Sequence, residues 1–272
     1  TGGIGGAIAG QLAARGWDLV LVNRSAEKAS QQRMELNGAH ADASVDLIQA
    51  DLMDVDQIKR AAGEILARHP RLDALYNNSG VLTSQRVMSA QGHESNYAVN
   101  TLAPFVMLKC LSPALKRAAG EQKTMIVNTT SSAHNSAKSL DAGMLSEPAD
   151  IGGLTGAYAT TKLALTTMGT ALAPDLEQEG IMLRSVCPGA VVTPMTKTSD
   201  AMPGFLKFLV PVLFNKPEKQ AGKMINAAQP DRFGGRTGIY ITNGKEKAAP
   251  KLAMDSNVQT NLVKKLLDDA SL

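Results

Sequence analysis

The sequence has two cysteines, one tryptophan and four histidines in 272 residues, and aromatic residues make up 4% of it. At most one disulfide could form. Cys110 and Cys187 each lie in an apolar run, one helix-like and one strand-like, so buried free thiols are expected. That points to a reducing compartment and a cytoplasmic location. His40, His69, His93 and His134 are isolated, with no partners at metal-ligand spacing, so no metal site is expected. His134 reads as a loop or surface residue, or as one lining a substrate mouth. Neither sign of charge dominates: 28 Lys plus Arg face 25 Asp plus Glu, for a net +3. That balance argues against nucleic acid as a partner, and Lys245, Lys247 and Lys251 read as a solvated surface. No uninterrupted apolar run is long enough to span a bilayer.

The composition is that of a folded chain. Apolar residues are 44% and charged residues 19%, enough to bury a substantial core. The length suits one large domain, 1–272, and no repeat or clear linker divides it. Short apolar runs at 18–23, 45–51, 72–77, 124–130, 181–187 and 238–242 read as strands. Helices are expected over 25–37 with Gly38 as the stop, and from Asp54 to Arg68. Two longer ones are expected over 92–118, bent at Pro104, and over 157–179, closed by Gly180. Strands apolar on both faces that alternate with helices predict an α/β chain with a doubly wound parallel sheet in three layers.

The chain opens on Thr1-Gly2-Gly3-Ile4-Gly5-Gly6, followed by an Ala-rich helical pattern. Glycines this dense suit a turn that presents backbone N–H groups and a helix N-terminus to a phosphate. Such a turn needs a strand before it, and none is present. A fragment without its first strand is expected. That strand is central in a doubly wound sheet, so two neighbours would carry unpaired edges. Two stretches, 133–156 and 193–217, follow the carboxyl ends of strands, where ligands bind in such sheets. The second carries Met195, Met202, Phe205, Phe208 and Phe214. It reads either as an apolar lid over about 194–217 or as a core or interface helix.

Tyr158 and Lys162 stand four residues apart, so a helix places both on one face. They follow Thr129-Thr130-Ser131-Ser132 at the end of a strand, and Asn100 on the preceding long helix. Three elements can thus converge at one edge of the sheet. On these residues the sequence resembles the short-chain dehydrogenases/reductases. Gly3-Ile4-Gly5 is similar to the end of that family's TGxxxGxG loop, and Asp51-Leu52 to its adenine-side Asp. Asn77-Asn78-Ser79-Gly80 resembles NNAG with Ser for Ala, and Val99-Asn100 resembles the helix Asn. Ile126-Val127-Asn128-Thr129-Thr130-Ser131 resembles the strand that delivers the catalytic Ser. Tyr158 and Lys162 resemble YxxxK, and Pro188-Gly189-Ala190-Val191-Val192-Thr193 resembles PGxxxT. The long span from Ser131 to Tyr158, with His134 and Pro217-Glu218, is similar to the retinol dehydrogenase and carbonyl reductase branch.

The resemblance implies a Rossmann fold and a nicotinamide-dependent enzyme that interconverts a carbonyl and an alcohol. It implies Tyr158 as acid/base, with Lys162 and the oxidised nicotinamide lowering the phenol's pKa. Ser131 would hold the substrate oxygen, with Thr130 and Ser132 as rivals for that role. Asn100 would order a water beside Lys162. Thr1, Gly2, Gly3, Ile4, Gly5, Asn23, Arg24, Asp51, Leu52, Asn78, Ser79 and Gly80 would bind cofactor together with Tyr158 and Lys162. Pro188, Gly189, Val191 and Thr193 would hold its carboxamide end. Val22-Asn23-Arg24 lacks the acid that binds a ribose 2′-hydroxyl, and Arg24 can pair with a 2′-phosphate, so NADP(H) is favoured over NAD(H). A hydrophobic substrate and a homodimer through the two long helices are also expected. The other readings are a catalytically silent nucleotide-binding sensor or scaffold, and an NAD-linked alcohol dehydrogenase.

Overall fold

Leu, Val and Ile occupy both faces of the strands, so each face of the sheet requires a covering layer. The computed structural model describes residues 2–193, 195, 199–200 and 214–272. The strands are β1 (Leu19–Asn23), β2 (Val45–Gln49), β3 (Ala74–Asn77), β4 (Thr124–Thr129), β5 (Ile181–Cys187), β6 (Ile239–Thr242) and β7 (Lys245–Lys247). The helices are α1 (Gly3–Ala13), α2 (Ala26–Ala39), α3 (Val55–Arg68), α4 (Ser95–Ala119), α5 (Ala157–Gln178), α6 (Pro217–Ala227) and α7 (Ser256–Ala270). β4 and β5 lie centrally and are buried at every position. One apolar core packs α3, α4, α5 and α7 on one face, and a second packs α1, α2 and α6 on the other. The expected doubly wound α/β architecture is what forms.

The pairing is interrupted once. β1 pairs in parallel with β2, while β3, β4, β5 and β6 pair in parallel in that order and β7 closes the edge antiparallel to β6. Between β1 and β3 lies a cavity of about 650 Å³, lined by residues 19–23 and 74–77 and roofed by Ile8, Leu12, Met107 and Leu111. Among the described residues neither strand is paired on this side. The unpaired edges expected from the sequence fall here.

Local signals set most boundaries. Asp54 caps α3 by accepting the Asp56 and Gln57 N–H groups. Gly180, at φ 76°, closes α5. Gly38 does not stop α2, a correction to the sequence reading. The helix runs on to Ala39 because buried Leu36 anchors its last turn, and the His40 N–H donates to the Leu36 carbonyl at 2.8 Å. α4 begins at Ser95, where Glu94 caps it, and a π-helical turn over Ala98–Leu102 precedes Pro104. Pro104 has no N–H to give the carbonyl four residues back, and the widened turn accommodates that loss. α4 is long and apolar enough to cross a membrane, but 78% of its apolar window is buried in the fold, as suits a core helix.

Three elements escaped the sequence reading: α6, α7 and β7. Asn243 and Gly244, at φ 52° and 73°, make the β6–β7 turn, so an Asn-Gly hairpin signal was present. Lys245 and Lys247 then project from an edge strand, where charge deters further pairing.

One charge is buried at the centre of β5. Arg184 is fully buried and donates all five of its N–H bonds to backbone carbonyls. Its Nε reaches Arg236 O at 2.9 Å, Nη1 reaches Ala227 O at 2.9 Å and Gln229 O at 2.8 Å, and Nη2 reaches Pro230 O and Arg232 O at 3.0 Å. Burial pushes its pKa down to about 10.

Candidate active site

α5 brings Tyr158 and Lys162 in on its first turns, 8% and 3% exposed. Lys162 Nζ donates to the Thr129 carbonyl at 2.9 Å and lies 5.9 Å from the Tyr158 ring centroid. Three hydroxyls follow the end of β4, on Thr130, Ser131 and Ser132. That of Ser131 bears on the phenol, where it favours the phenolate, and it accepts the Ala133 N–H at 3.2 Å. Thr130 is engaged elsewhere, with Thr166 Oγ1 at 2.9 Å and the Lys162 carbonyl at 3.3 Å. Ser132 opens a 3₁₀ turn over Ser132–Ser136. Of the three, Ser131 is the hydroxyl that bears on the phenol.

Burial governs the protonation of this pair. It pushes the Tyr158 phenol above its ordinary value, and the Ser131 hydroxyl opposes it only in part. It pushes Lys162 down to about 8. The lowering expected from Lys162 concerns a site that also holds an oxidised nicotinamide; in the protein alone burial sets the direction. The Lys162 ammonium turns to the Thr129 carbonyl, and desolvation outweighs it. The phenol stands protonated at neutral pH.

Asn100 stands on the helix that faces this pair. It is fully buried, and its amide clamps the loop after β3: Oδ1 accepts the Val81 N–H at 2.8 Å and Nδ2 donates to the Val81 carbonyl at 3.0 Å. Nδ2 also reaches Thr161 Oγ1 at 3.2 Å. With these partners the side chain positions the loop. Gly80 sits on that loop. A Cβ there would stand 3.0 Å from Asn100 Oδ1 and 3.3 Å from Lys162 Nζ, so the rim must stay free of side chains. Leu82, Leu154, Ala133 and Met195 pack around Tyr158 and give the phenol an apolar wall. The sequence reading missed Leu82 and Leu154, whose only signal was apolarity on loops beside the motifs.

A second rim runs from α1 to β3. The first turn of α1, from Gly2, holds no acidic residue and no side-chain cap. A Cβ on Gly5 would meet Asn78 Nδ2 at 2.6 Å, so a side chain there would have to displace the Asn78 amide. Asn78 Oδ1 accepts the Thr129 hydroxyl at 3.4 Å, and Ser79 follows it along the cavity. Arg24 is exposed just past β1, and its carbonyl accepts Gln49 Nε2 at 3.2 Å. Asp51 accepts the Met53 N–H at 3.0 Å, so one of its oxygens is engaged in its own turn, and Leu52 lines the cavity. Gly189, at φ 77°, turns the chain after Pro188, and Val191 bridges to Asn215. An open helix N-terminus and side-chain-free glycine approaches suit a ligand carrying phosphates. No cluster of His, Cys, Asp or Glu among the described residues could hold a metal. Thr1, Met202, Phe205, Phe208 and most of the expected lid lie outside the described residues.

His134 is neither a surface nor a mouth residue, which corrects the sequence reading. It is 1% exposed, with Nδ1 at 3.0 Å from Thr166 Oγ1 and its ring 4.6 Å from that of Tyr240. The 3₁₀ turn folds it under the end of β4. Burial pushes its pKa down from 6.5 to about 4. The unfolded chain gains this proton below about pH 6.5 and the folded chain only near 4. Stability is therefore present above 6.5 and lost as pH falls towards 4, by up to about 3 kcal/mol. Urea midpoints compared at pH 7 and pH 4.5 should fall less for His134→Gln than for wild type. Equal acid sensitivity would contradict this assignment.

Comparison with known proteins agrees with the geometry. Residues 1–223 match a family model described as enoyl-(acyl carrier protein) reductase. The chain is 29% identical over 269 residues to the chloroplastic short-chain dehydrogenase TIC 32 B of Brassica napus, covering 96% of this chain and 83% of that one. It is 27% identical over 265 residues to human retinol dehydrogenase 13, covering 96% and 79%. A solved short-chain dehydrogenase of Burkholderia cenocepacia J2315 in complex with NADP superposes with a TM-score of 0.68 at 26% identity, covering 89% of this chain and 93% of that one. With motif order, fold and active-site geometry in agreement, the chain belongs to the short-chain dehydrogenase/reductase family, in its retinol dehydrogenase-like branch, and is an oxidoreductase of carbonyl and alcohol groups.

Proposed function

We propose that this protein is an NADP(H)-dependent reductase of carbonyl compounds with an apolar flank, and that Tyr158 is the proton donor. The observation that carries this reading is the setting of Tyr158: buried, next to Lys162 on one helical face and walled by Leu82, Leu154 and Met195, where burial favours the protonated phenol. A protonated phenol is an acid, which suits reduction. Ser131 and Tyr158 both donate to the substrate carbonyl oxygen, and the charge that develops there is stabilised by two aimed donors. Tyr158 then passes its proton to that oxygen. Lys162, charged below about pH 8, stabilises the phenolate left behind. Asn100 holds the loop that keeps Gly80 clear of the site.

The nicotinamide, when bound, supplies the hydride. The first turn of α1, from Gly2 through Gly5, would hold the pyrophosphate, with Asn78, Ser79 and Gly80 beside it. Asp51 and Leu52 would flank the adenine. Pro188, Gly189, Val191 and Thr193 would hold the carboxamide. Asn23 and Arg24 would take the 2′-phosphate. Cys110 and Cys187 are free thiols, and a cytoplasmic site of action completes the reading.

The cofactor assignment is checked by isothermal titration. NADPH is expected to bind more tightly than NADH, and Arg24→Ala to weaken NADPH about 10- to 100-fold, the worth of a charge-assisted contact. NADH affinity should stay within a factor of two. A preference for NADH, or indifference to Arg24, would indicate an NAD-linked alcohol dehydrogenase. Binding without turnover of any carbonyl in a broad panel would indicate a silent sensor.

A further inference from the structure

His134 stands one 3₁₀ turn past Ser131, and two links tie it to the residues of the site. Its backbone N–H donates to the Ser131 carbonyl at 3.1 Å. Its ring meets α5: Nδ1 lies 3.0 Å from Oγ1 of Thr166, one helical turn after Lys162. Thr166 Oγ1 donates to the Lys162 carbonyl at 3.0 Å and lies 2.9 Å from Thr130 Oγ1, which reaches the same carbonyl at 3.3 Å. Thr130, His134, Lys162 and Thr166 are each at most 3% exposed. A buried chain of hydrogen bonds thus runs from the residue before Ser131, through α5, and back to the turn after it.

This chain fixes where the imidazole carries its proton. A neutral imidazole has one donor and one acceptor nitrogen. Thr166 has one hydroxyl proton, and the Lys162 carbonyl takes it. The Thr166 oxygen is left to accept, and a proton on Nδ1 fills that place. Among the described residues Nε2 has no partner, and it is sealed from solvent. The opposite tautomer would bury an N–H without an acceptor and draw the Thr166 proton off the Lys162 carbonyl. The Tyr240 ring, with its centroid 4.6 Å from that of the imidazole, packs against it.

The bonds join parts that local structure leaves separate. β4 ends at Thr129, so Ser131 lies beyond the strand ladder. α5 begins at Gly156 without a side-chain cap, and its first turns carry Tyr158 and Lys162. Lys162 Nζ on the Thr129 carbonyl ties the tip of one side chain to the strand. The contact of His134 with Thr166 ties the turn after the strand to the body of the helix.

We infer that His134 is a positioning residue: neutral and protonated on Nδ1, it braces the turn that carries Ser131 against the helix that carries Tyr158 and Lys162. Its effect on rate rests on the roles proposed for Ser131 and Tyr158, while the brace itself is read without turnover. A long-range proton–nitrogen correlation spectrum of the wild-type protein should find the His134 proton on Nδ1. The Ser131 amide resonance should shift in Thr166→Val, although that substitution lies on another element. His134→Phe keeps a ring against Tyr240 and removes both nitrogens, whereas His134→Asn returns an N–H near the place of Nδ1. Displacing reacting groups by about 1 Å costs up to about 100-fold, so His134→Phe should lower kcat for an apolar ketone about 10- to 100-fold. Ketone KM and NADPH Kd should stay within about threefold of wild type. His134→Asn should recover most of the loss, and Thr166→Val combined with His134→Phe should lose no more than the worse single variant. A proton on Nε2 overturns the inference. So does an unmoved Ser131 amide, a His134→Phe variant that loses thermal stability but keeps kcat, or an Asn variant no better than Phe. A wild type that turns over no carbonyl, yet shows the expected tautomer and amide shift, would sink the chemistry proposed for Tyr158 and leave the brace standing.

Discussion

Tyr158→Phe is expected to lower kcat for carbonyl reduction by about 10²- to 10⁴-fold, the usual worth of a positioned acid. The substitution removes one oxygen and leaves the ring against Leu82 and Leu154, so the apolar wall survives. NADPH affinity and thermal midpoint should therefore change little. Ser131→Ala should cost less, because Tyr158 would remain to donate to the same oxygen. Lys162→Met should also reduce kcat strongly, and here stability has competing contributions. The variant removes an ammonium whose pKa burial has pushed down to about 8, but it also orphans the Thr129 carbonyl. The decisive measurement is single-turnover reduction of an apolar ketone by Tyr158→Phe. Retention of more than a tenth of the wild-type rate would remove Tyr158 from the chemistry and leave the proposed mechanism without its acid.

Arg184→Leu is expected to abolish folding at ordinary temperatures, or to lower the thermal midpoint by more than 10 °C, about 4 kcal/mol or more for a domain of this size. The guanidinium satisfies five carbonyls from the 227–236 segment, which also carries Phe233, Gly234 and Gly235 at positive φ. A neutral side chain leaves one buried and four partly buried acceptors without their donor, at a cost of up to about 1–3 kcal/mol each before relaxation and water entry. The Phe233 ring would also lose the cation 5.6 Å from its centroid. Arg184→Lys should fall between, since an ammonium has three donors and no planar fork. A loss below 3 °C for Arg184→Leu, measured by differential scanning calorimetry, would mean that water replaces the guanidinium and that the segment does not depend on it.

Arg184 also marks a boundary of what sequence can tell. Nothing around it signals five carbonyls, because they come from a segment more than forty residues away. By contrast, the alternation of strands with helices, the Asp54 cap and the Gly180 stop are local, and the structure bears them out. They rest on side-chain periodicity and backbone conformation within a few residues, which a sequence states directly. Gly38 shows the limit of such signals. A glycine that could end a helix did not, because Leu36 is held in the core one turn earlier. α7 and β7 were legible in principle, from amphipathic spacing and an Asn-Gly turn, and were simply not read.

The residue types of the candidate site came from the sequence by itself: Tyr158 and Lys162 on one helical face, hydroxyls at the end of β4, Asn100 on the preceding helix and glycines at the start of α1. Tertiary structure alone decided what those groups do to one another. It engaged Thr130 with Thr166, closed Asn100 onto Val81, and buried His134 and the Tyr158–Lys162 pair. It also laid α7 over the back of α5. The physical reason is that spacing along the chain fixes which way a side chain points from its own element. Hydrogen-bond partners and local dielectric are fixed only when elements far apart in sequence pack together and exclude water.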